Sequence, residues 1–307
     1  MIQPFRPSTE TRSPGPCPSA KMSLGSPSLI LESLGSITID NMSYKGKDMG
    51  PEILKFYTKL YEKDINVNVD NDQYLSAVDC KLTTEQNKIL DSPITLDELY
   101  STLLTCKDSS PGLDGIPYSL YKKFWDVLGI RLLNSWNYSL SVGELLQDQR
   151  HSVISLLQKP GKPVGNIDNL RPINLSNCDI KLVTKVLTKR VLKCNNIFSK
   201  IQTAYIRGRR LSENLLTIQL VIDHCDENNL EGYLVSLDAK KAFDSIDHDF
   251  MLRVLKEFNF SKKFIHIIKT FYINLTTDVM VNGIRYGLLK ILKGVKQGDS
   301  MSCVLFI

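Results

Sequence analysis

The chain has 307 residues, 42% of them hydrophobic and 23% charged, with a formal net charge of +5. That length suits one large or two ordinary domains, and that apolar content can build a core, which excludes a disordered chain. The 7 cysteines, an odd number with no Cys-x-x-Cys pair, argue against a disulfide framework and a zinc site.

No apolar run approaches the ~20 residues of a membrane span. The N-terminus lacks the apolar core of a signal peptide. The expectation is an intracellular protein, nuclear or cytoplasmic and not secreted, with no membrane partner. The charge is unevenly placed. From Arg150 to Arg210, 13 Lys/Arg face only Asp168 and Asp179, a local +11 that leaves the rest of the chain at −6. A basic segment inside a near-neutral protein suits a polyanion.

Residues 1–36 are rich in Pro, Ser and Gly, with 6 of the 13 prolines before Ser28. Disorder is expected there. Short helices are expected from Ile37 to Ser109. Glu52 to Tyr61 puts Ile53, Phe56, Tyr57 and Leu60 on one face. Thr83 with Gln86, and Thr95 with Glu98, read as capping boxes at helix starts. Pro111-Gly112 and Asp114-Gly115 are turn dipeptides. Tyr118 to Leu146 then carries Tyr121, Phe124, Trp125 and Trp136 at helical spacing, a core stripe.

Val153–Leu157 and Arg171–Leu175 read as strands joined by a loop holding Pro160-Gly161 and Pro163. This hairpin presents Lys159, Lys162 and Arg171. Such cations can grip a triphosphate, Arg by a fork and Lys as a point charge. Ser176 or Asn177 can cap a helix from Ile180 to about Phe198. Its lysines, Lys181, Lys185, Lys189 and Lys193, would form an outer face suited to phosphate contacts.

Tyr233 to Leu237 reads as a buried strand ending on Asp238, followed by a tight turn with Phe243 and a helix carrying Met251, Val254, Leu255 and Phe258. A carboxylate at a strand tip suits Mg²⁺ binding or aspartyl-phosphate chemistry. Aspartyl-phosphate phosphatases of the haloacid-dehalogenase kind need an acid two residues on, where this chain has Lys240. Ser261 can cap a further helix. Asn282-Gly283 then marks a hairpin between Asp278–Val281 and a return strand from Ile284 to Leu292.

Asp238-Ala239-Lys240-Lys241-Ala242-Phe243-Asp244 resembles the first catalytic box of reverse transcriptases, in the form used by non-LTR (LINE-type) retrotransposons. Other stretches match in the family's order. They are Ser110 to Pro117 (SPGLDGIP), Lys159 to Pro163 with Leu170 to Leu175 (KPGKP and LRPINL), Gln202 to Arg209, and Gly294 to Ser302 (GVKQGDSMS). The SPGLDGIP box and the Asn-Gly hairpin fit this group better than an intron-maturase or telomerase-like polymerase.

The resemblance implies an α+β fold: polymerase fingers plus an incomplete palm, an antiparallel sheet backed by helices. It implies a helical linker and fingers-associated region over 37–139 and a partial reverse transcriptase domain over 140–307. In such enzymes two Mg²⁺ ions stabilise the attacking 3′-oxygen and the leaving pyrophosphate. The matching metal positions are the Asp238 carboxylate and the Ala239 carbonyl, with Asp238 as the catalytic acid. Lys159 and Arg171 would hold the incoming dNTP. Phe243 would lie under the sugar and exclude a 2′-hydroxyl. Gln297 and Gly298 would meet nucleotide and template. The implied partners are an RNA template, a DNA primer and dNTP.

The family's later Asp-Asp box has no counterpart in the sequence, which contains no adjacent pair of aspartates. Asp247-His248-Asp249 stands too close to Asp238 to replace it. The expectation is that this polypeptide alone has no polymerase activity. The alternative is a non-catalytic RNA- or DNA-binding remnant of such an element.

Overall fold

The computed structural model describes residues 34–63 and 75–307. The disorder expected over residues 1–36 falls almost wholly outside them. The chain divides into two units, one containing Lys200–Lys240 and the other Leu31–Ser199 with Lys241–Ile307.

The larger unit begins with a hairpin where helices were expected. β1 (Ser36–Ile39) pairs antiparallel with β2 (Met42–Lys45). Asp40 and Asn41, both at positive φ (48° and 67°), make the two-residue turn that reverses the chain. α1 (Met49–Tyr61) follows, with Ile53, Tyr57 and Tyr61 buried. α2 (Thr84–Asp91) and α3 (Leu96–Thr105) each start on the expected capping box, with both reciprocal bonds formed. α4 (Tyr118–Lys123) and α5 (Trp125–Val142) carry the aromatic stripe; Trp136 is fully buried and stacks on Phe271 at 5.9 Å. Phe124, expected in that stripe, is 48% exposed at the junction of the two helices.

After the single turn α6 (Gln147–Arg150) come β3 (His151–Gln158) and β4 (Leu170–Leu175), the expected finger hairpin. α7 (Cys178–Leu192) is shorter than expected but buries eleven of its residues. The smaller unit contains α8 (Leu211–Glu227), none of whose residues is buried. Back in the larger unit are α9 (His248–Glu257) and α10 (Lys262–Thr270), capped by Asp247 and Ser261. β5 (Thr276–Val281) and β6 (Ile284–Lys290) follow, then α11 (Ser300–Phe306).

The four-stranded sheet runs β4-β3-β5-β6. Its outer pairs are antiparallel, as expected; the central pair, β3 with β5, is parallel. A parallel pair needs a long crossover, and here the crossover is everything between Gln158 and Thr276. The Asn282-Gly283 turn has both residues at positive φ, 51° and 80°, the backbone that Asn-Gly favours. Asn282 also reaches back to Leu34, accepting from its N–H (2.8 Å) and donating to its carbonyl (3.0 Å). One apolar core joins Ile37 of β1, Ile53 and Tyr57 of α1, Ile154 and Leu156 of β3, and Val279 of β5.

One expectation holds in part and another fails. Of the four lysines expected on an outer face, Lys189 and Lys193 are exposed and Lys181 and Lys185 are half-buried. Lys181 donates to the Ser110 carbonyl at 3.0 Å, Lys185 lies over the Tyr118 ring at 5.3 Å, and Lys189 donates to Thr102 Oγ1 at 3.0 Å. The stems of these three lie over α3 and the α4 region, which they help to pack. The expectation that fails is the strand over Tyr233–Leu237. These residues form no strand, and Leu234 and Leu237 are 75% and 91% exposed. An apolar run becomes a strand only with a neighbour to complete its ladder. Among the described residues no strand pairs with it.

Candidate nucleotide site

The site is built where the turn at the end of the first box, Lys241–Ser245, meets the Gln-Gly loop, both in the larger unit. Lys241 adopts a left-handed backbone (φ 52°, ψ 38°) and enters a short 3₁₀ turn over Ala242–Ser245. Its carbonyl accepts from the Asp244 N–H (2.9 Å) and from Ser245 Oγ (3.0 Å). These bonds hold a backbone conformation that a non-glycine residue adopts only at a cost.

The Gln-Gly loop lies directly on this turn. The Val295 N–H donates to the Phe243 carbonyl and the Gly294 N–H to the Ile246 carbonyl, each at 2.7 Å. Gly294 sits at φ +86°; a Cβ there would lie 2.9 Å from the Asp244 carbonyl oxygen. Glycine is required by this close approach of two backbones. On its other side the loop joins the finger hairpin, since the Asn174 N–H donates to the Gln297 carbonyl at 2.8 Å. Gly298, at φ +109°, turns beside the Asn174 carbonyl.

Asp244 is the hub, and it had no role assigned from the sequence. It is 3% exposed. Its Oδ1 accepts from Tyr61 Oη (3.0 Å) and its Oδ2 from Gln297 Nε2 (3.0 Å). A buried carboxylate needs such donors to offset lost hydration. Burial raises its pKa; the Tyr61 and Gln297 hydrogen bonds and the Lys241 and Lys159 charges pull the other way. Burial also raises Tyr61, reinforced by the Asp244 charge, so Tyr61 stays a donor.

This has a sign that can be tested. A carboxyl whose folded pKa lies above its unfolded value contributes stability that is fully present below the unfolded pKa. That contribution is lost as pH rises through the folded pKa. The melting temperature of wild type minus that of Asp244→Asn is therefore expected to fall between pH 4 and pH 7. Calorimetry across that range reads it, and a difference that rises with pH would refute the assignment.

Lys159, Arg171 and Gln297 line one cavity of about 170 Å³ with Asp244, Lys241 and Asp168. Segments more than a hundred residues apart in sequence are thus brought to one place. Arg171 is exposed and pairs with no acid among the described residues. Lys159 Nζ donates to the Asp168 carbonyl at 2.6 Å, and Lys241 Nζ lies 3.2 Å from Asp168 Oδ1. Phe243 is half-buried and stacks on Phe306 with centroids 4.7 Å apart. The expected aromatic thus rests on α11, the helix that follows the Gln-Gly loop.

Asp238 and Ala239 belong to the smaller unit and are exposed. Asp238 does not end a strand, which corrects the expectation for its position. Among the described residues no three His, Cys, Asp or Glu side chains gather as a metal site. One carboxylate and one carbonyl do not complete a donor set for two hard cations.

Sequence reasoning missed Tyr61, Lys241 and Asp244. Asp244 carried a signal, an acid directly after a turn aromatic. Tyr61 carried none, being 183 residues away and brought in only by the packing of α1 on the sheet.

Residues 157–307 match the family described as reverse transcriptase (RNA-dependent DNA polymerase). A 222-residue stretch, 71% of this chain, is 32% identical to the Transposon TX1 uncharacterized 149 kDa protein of Xenopus laevis, covering 17% of it. A 215-residue stretch, 70% of the chain, is 24% identical to the Retrovirus-related Pol polyprotein from type-2 retrotransposable element R2DM of Drosophila melanogaster, covering 20% of it. A 219-residue stretch, also 70%, is 24% identical to the RNA-directed DNA polymerase from mobile element jockey of the same fly, covering 24% of it. The chain therefore spans about a fifth of the length of these curated relatives. No helix among the described residues is long and apolar enough to cross a membrane. With the family's boxes in order and these relatives matched across them, the chain belongs to the reverse transcriptases, in their non-LTR, LINE-type branch.

Proposed function

We propose that the larger unit is the fingers and part of the palm of a LINE-type reverse transcriptase, and that its cavity receives the phosphate tail of an incoming deoxynucleotide. The complete reaction is template-directed addition of a dNTP to a primer 3′-OH, on an RNA template, by a two-Mg²⁺ mechanism. The single observation that supports this most is the convergence of Lys159, Arg171 and Gln297 on one cavity. Its volume is below the ~300 Å³ of a pocket that encloses a whole small ligand. It suits a polyphosphate, with sugar and base outside. Arg171 offers a planar fork to phosphate oxygens and Lys159 a point charge. Gln297, fixed by Asp244, presents its amide beside them. Phe243 is assigned the face of the sugar, Gly298 the close approach of backbone to nucleotide and template, and Asp238 with Ala239 the metal.

Binding and chemistry separate in this reading. The 307-residue polypeptide is expected to bind dTTP in titration calorimetry, and Arg171→Ala to weaken that binding about tenfold, the loss of one charge-assisted fork. The same polypeptide, given primer, RNA template, dNTPs and Mg²⁺, is expected to extend nothing. Template-dependent extension would overturn the second expectation, and binding indifferent to Arg171 the first.

A further inference from the structure

The anion cavity is already partly satisfied from within. Asp168 lies between β3 and β4, in the same loop as Lys159. Its carboxylate reaches Lys241 Nζ (3.2 Å) and its carbonyl accepts from Lys159 Nζ (2.6 Å). Lys241 is the residue whose left-handed backbone starts the turn, and its ammonium lies 4.2 Å from the centre of the Phe56 ring. Backbone and ring together aim this cation into the cavity, and its side chain is only 27% exposed. Asp168 is more open, at 48%. An anion entering beside Arg171 thus meets two further cations, Lys159 held by the Asp168 backbone carbonyl and Lys241 by its half-exposed carboxylate.

We propose that Lys241 is a third cation for the nucleotide's phosphate tail and that Asp168 is its resident counter-ion, a surrogate anion that an incoming phosphate must displace. This rests on the nucleotide reading above and adds a residue and a threshold to it. The role of Asp168 is competitive. Its carboxylate repels the same phosphates that Lys241 attracts, so its removal improves binding. Lys241 stays in place without it, because the turn bonds and the Phe56 ring still hold it.

The test is calorimetric titration of the 307-residue chain with dTTP, and separately with inorganic tripolyphosphate, in EDTA. Asp168→Asn is expected to tighten both about three- to tenfold, the removal of one nearby like charge. Lys241→Met is expected to weaken both about fivefold or more, and Asp168→Asn added to Lys241→Met to regain part of that loss, because repulsion by Asp168 is relieved whether or not Lys241 is present. A gain of affinity cannot come from misfolding, which keeps the test sharp. If the Lys241–Asp168 pair is only structural, both single variants bind equally or both more weakly, and the proposal falls. If binding depends on Arg171 but not on Lys241, this inference falls and the nucleotide reading stands. If the wild-type chain binds neither ligand, both fall.

Discussion

Arg190→Ala is expected to lower the unfolding free energy by about 3 kcal/mol, the low end for breaking a buried ion pair from one side. Arg190 is 3% exposed. Its Nε and Nη2 donate to the two oxygens of Glu98 at 2.8 and 2.6 Å. Its Nη1 donates to the Ser92 carbonyl and its Nη2 to the Pro93 carbonyl. One guanidinium therefore ties α7 to the turn between α2 and α3. Glu98, whose side chain is 34% exposed, can regain water after the substitution, and that sets the low end. The orphaned carbonyls add to the loss. Arg190→Lys is expected to recover less than half, because an ammonium cannot span this forked set. Denaturant melts measure both, and a loss under about 1 kcal/mol for the alanine variant would show the pair to be marginal.

Gly294→Ala is the second large effect, and it joins stability to the site. At φ +86° a Cβ meets the carbonyl oxygen, Cα and carbonyl carbon of Asp244 at 2.9, 3.0 and 3.1 Å. All three are backbone atoms and cannot rotate away. The left-handed conformation alone costs ~1–2 kcal/mol in an L-residue. With the separation of the two backbones, the expected total is about 2–4 kcal/mol. The loop must move outward, and with it Gln297 leaves Asp244. Nucleotide affinity is therefore expected to fall along with the melting temperature. A variant that melts as wild type would mean the loop and the turn are not locked.

Much of this fold could be read locally. The capping boxes at Thr83 and Thr95, the Ser261 cap and the Asn282-Gly283 turn are signals carried within a few residues, and each formed as expected. The finger hairpin was equally legible, because its turn residues sit between two apolar runs. What failed, or held only in part, depended on partners. Tyr233–Leu237 has the side chains of a buried strand but no ladder among the described residues. The α7 lysines have the spacing of a solvated face, yet α3 and Tyr118 lie under them. The β1–β2 hairpin was missed although Asp40-Asn41 was visible as a turn, since its strands are only four residues each.

The same division runs through the site. The positions of Lys159, Arg171, Phe243 and Gln297 came from ordered motifs. That three of them share a cavity came from packing. Asp244 stood inside a quoted motif, but its importance depends on Tyr61, which only the assembled core supplies.

The bonds between Asn282 and Leu34 bridge 248 positions, and β3 meets β5 across more than a hundred. Contacts of such span slow folding, because the intervening loop must close before they form. During synthesis the β1–β2 hairpin and α1 emerge before β5 and β6 and lack the sheet edge they rest on until Asn282 has left the ribosome. The β1–β2 hairpin and α1 are thus among the last parts of this unit to be fastened, and a pause in translation before that turn prolongs the exposure of Ile37 and Ile53 to solvent.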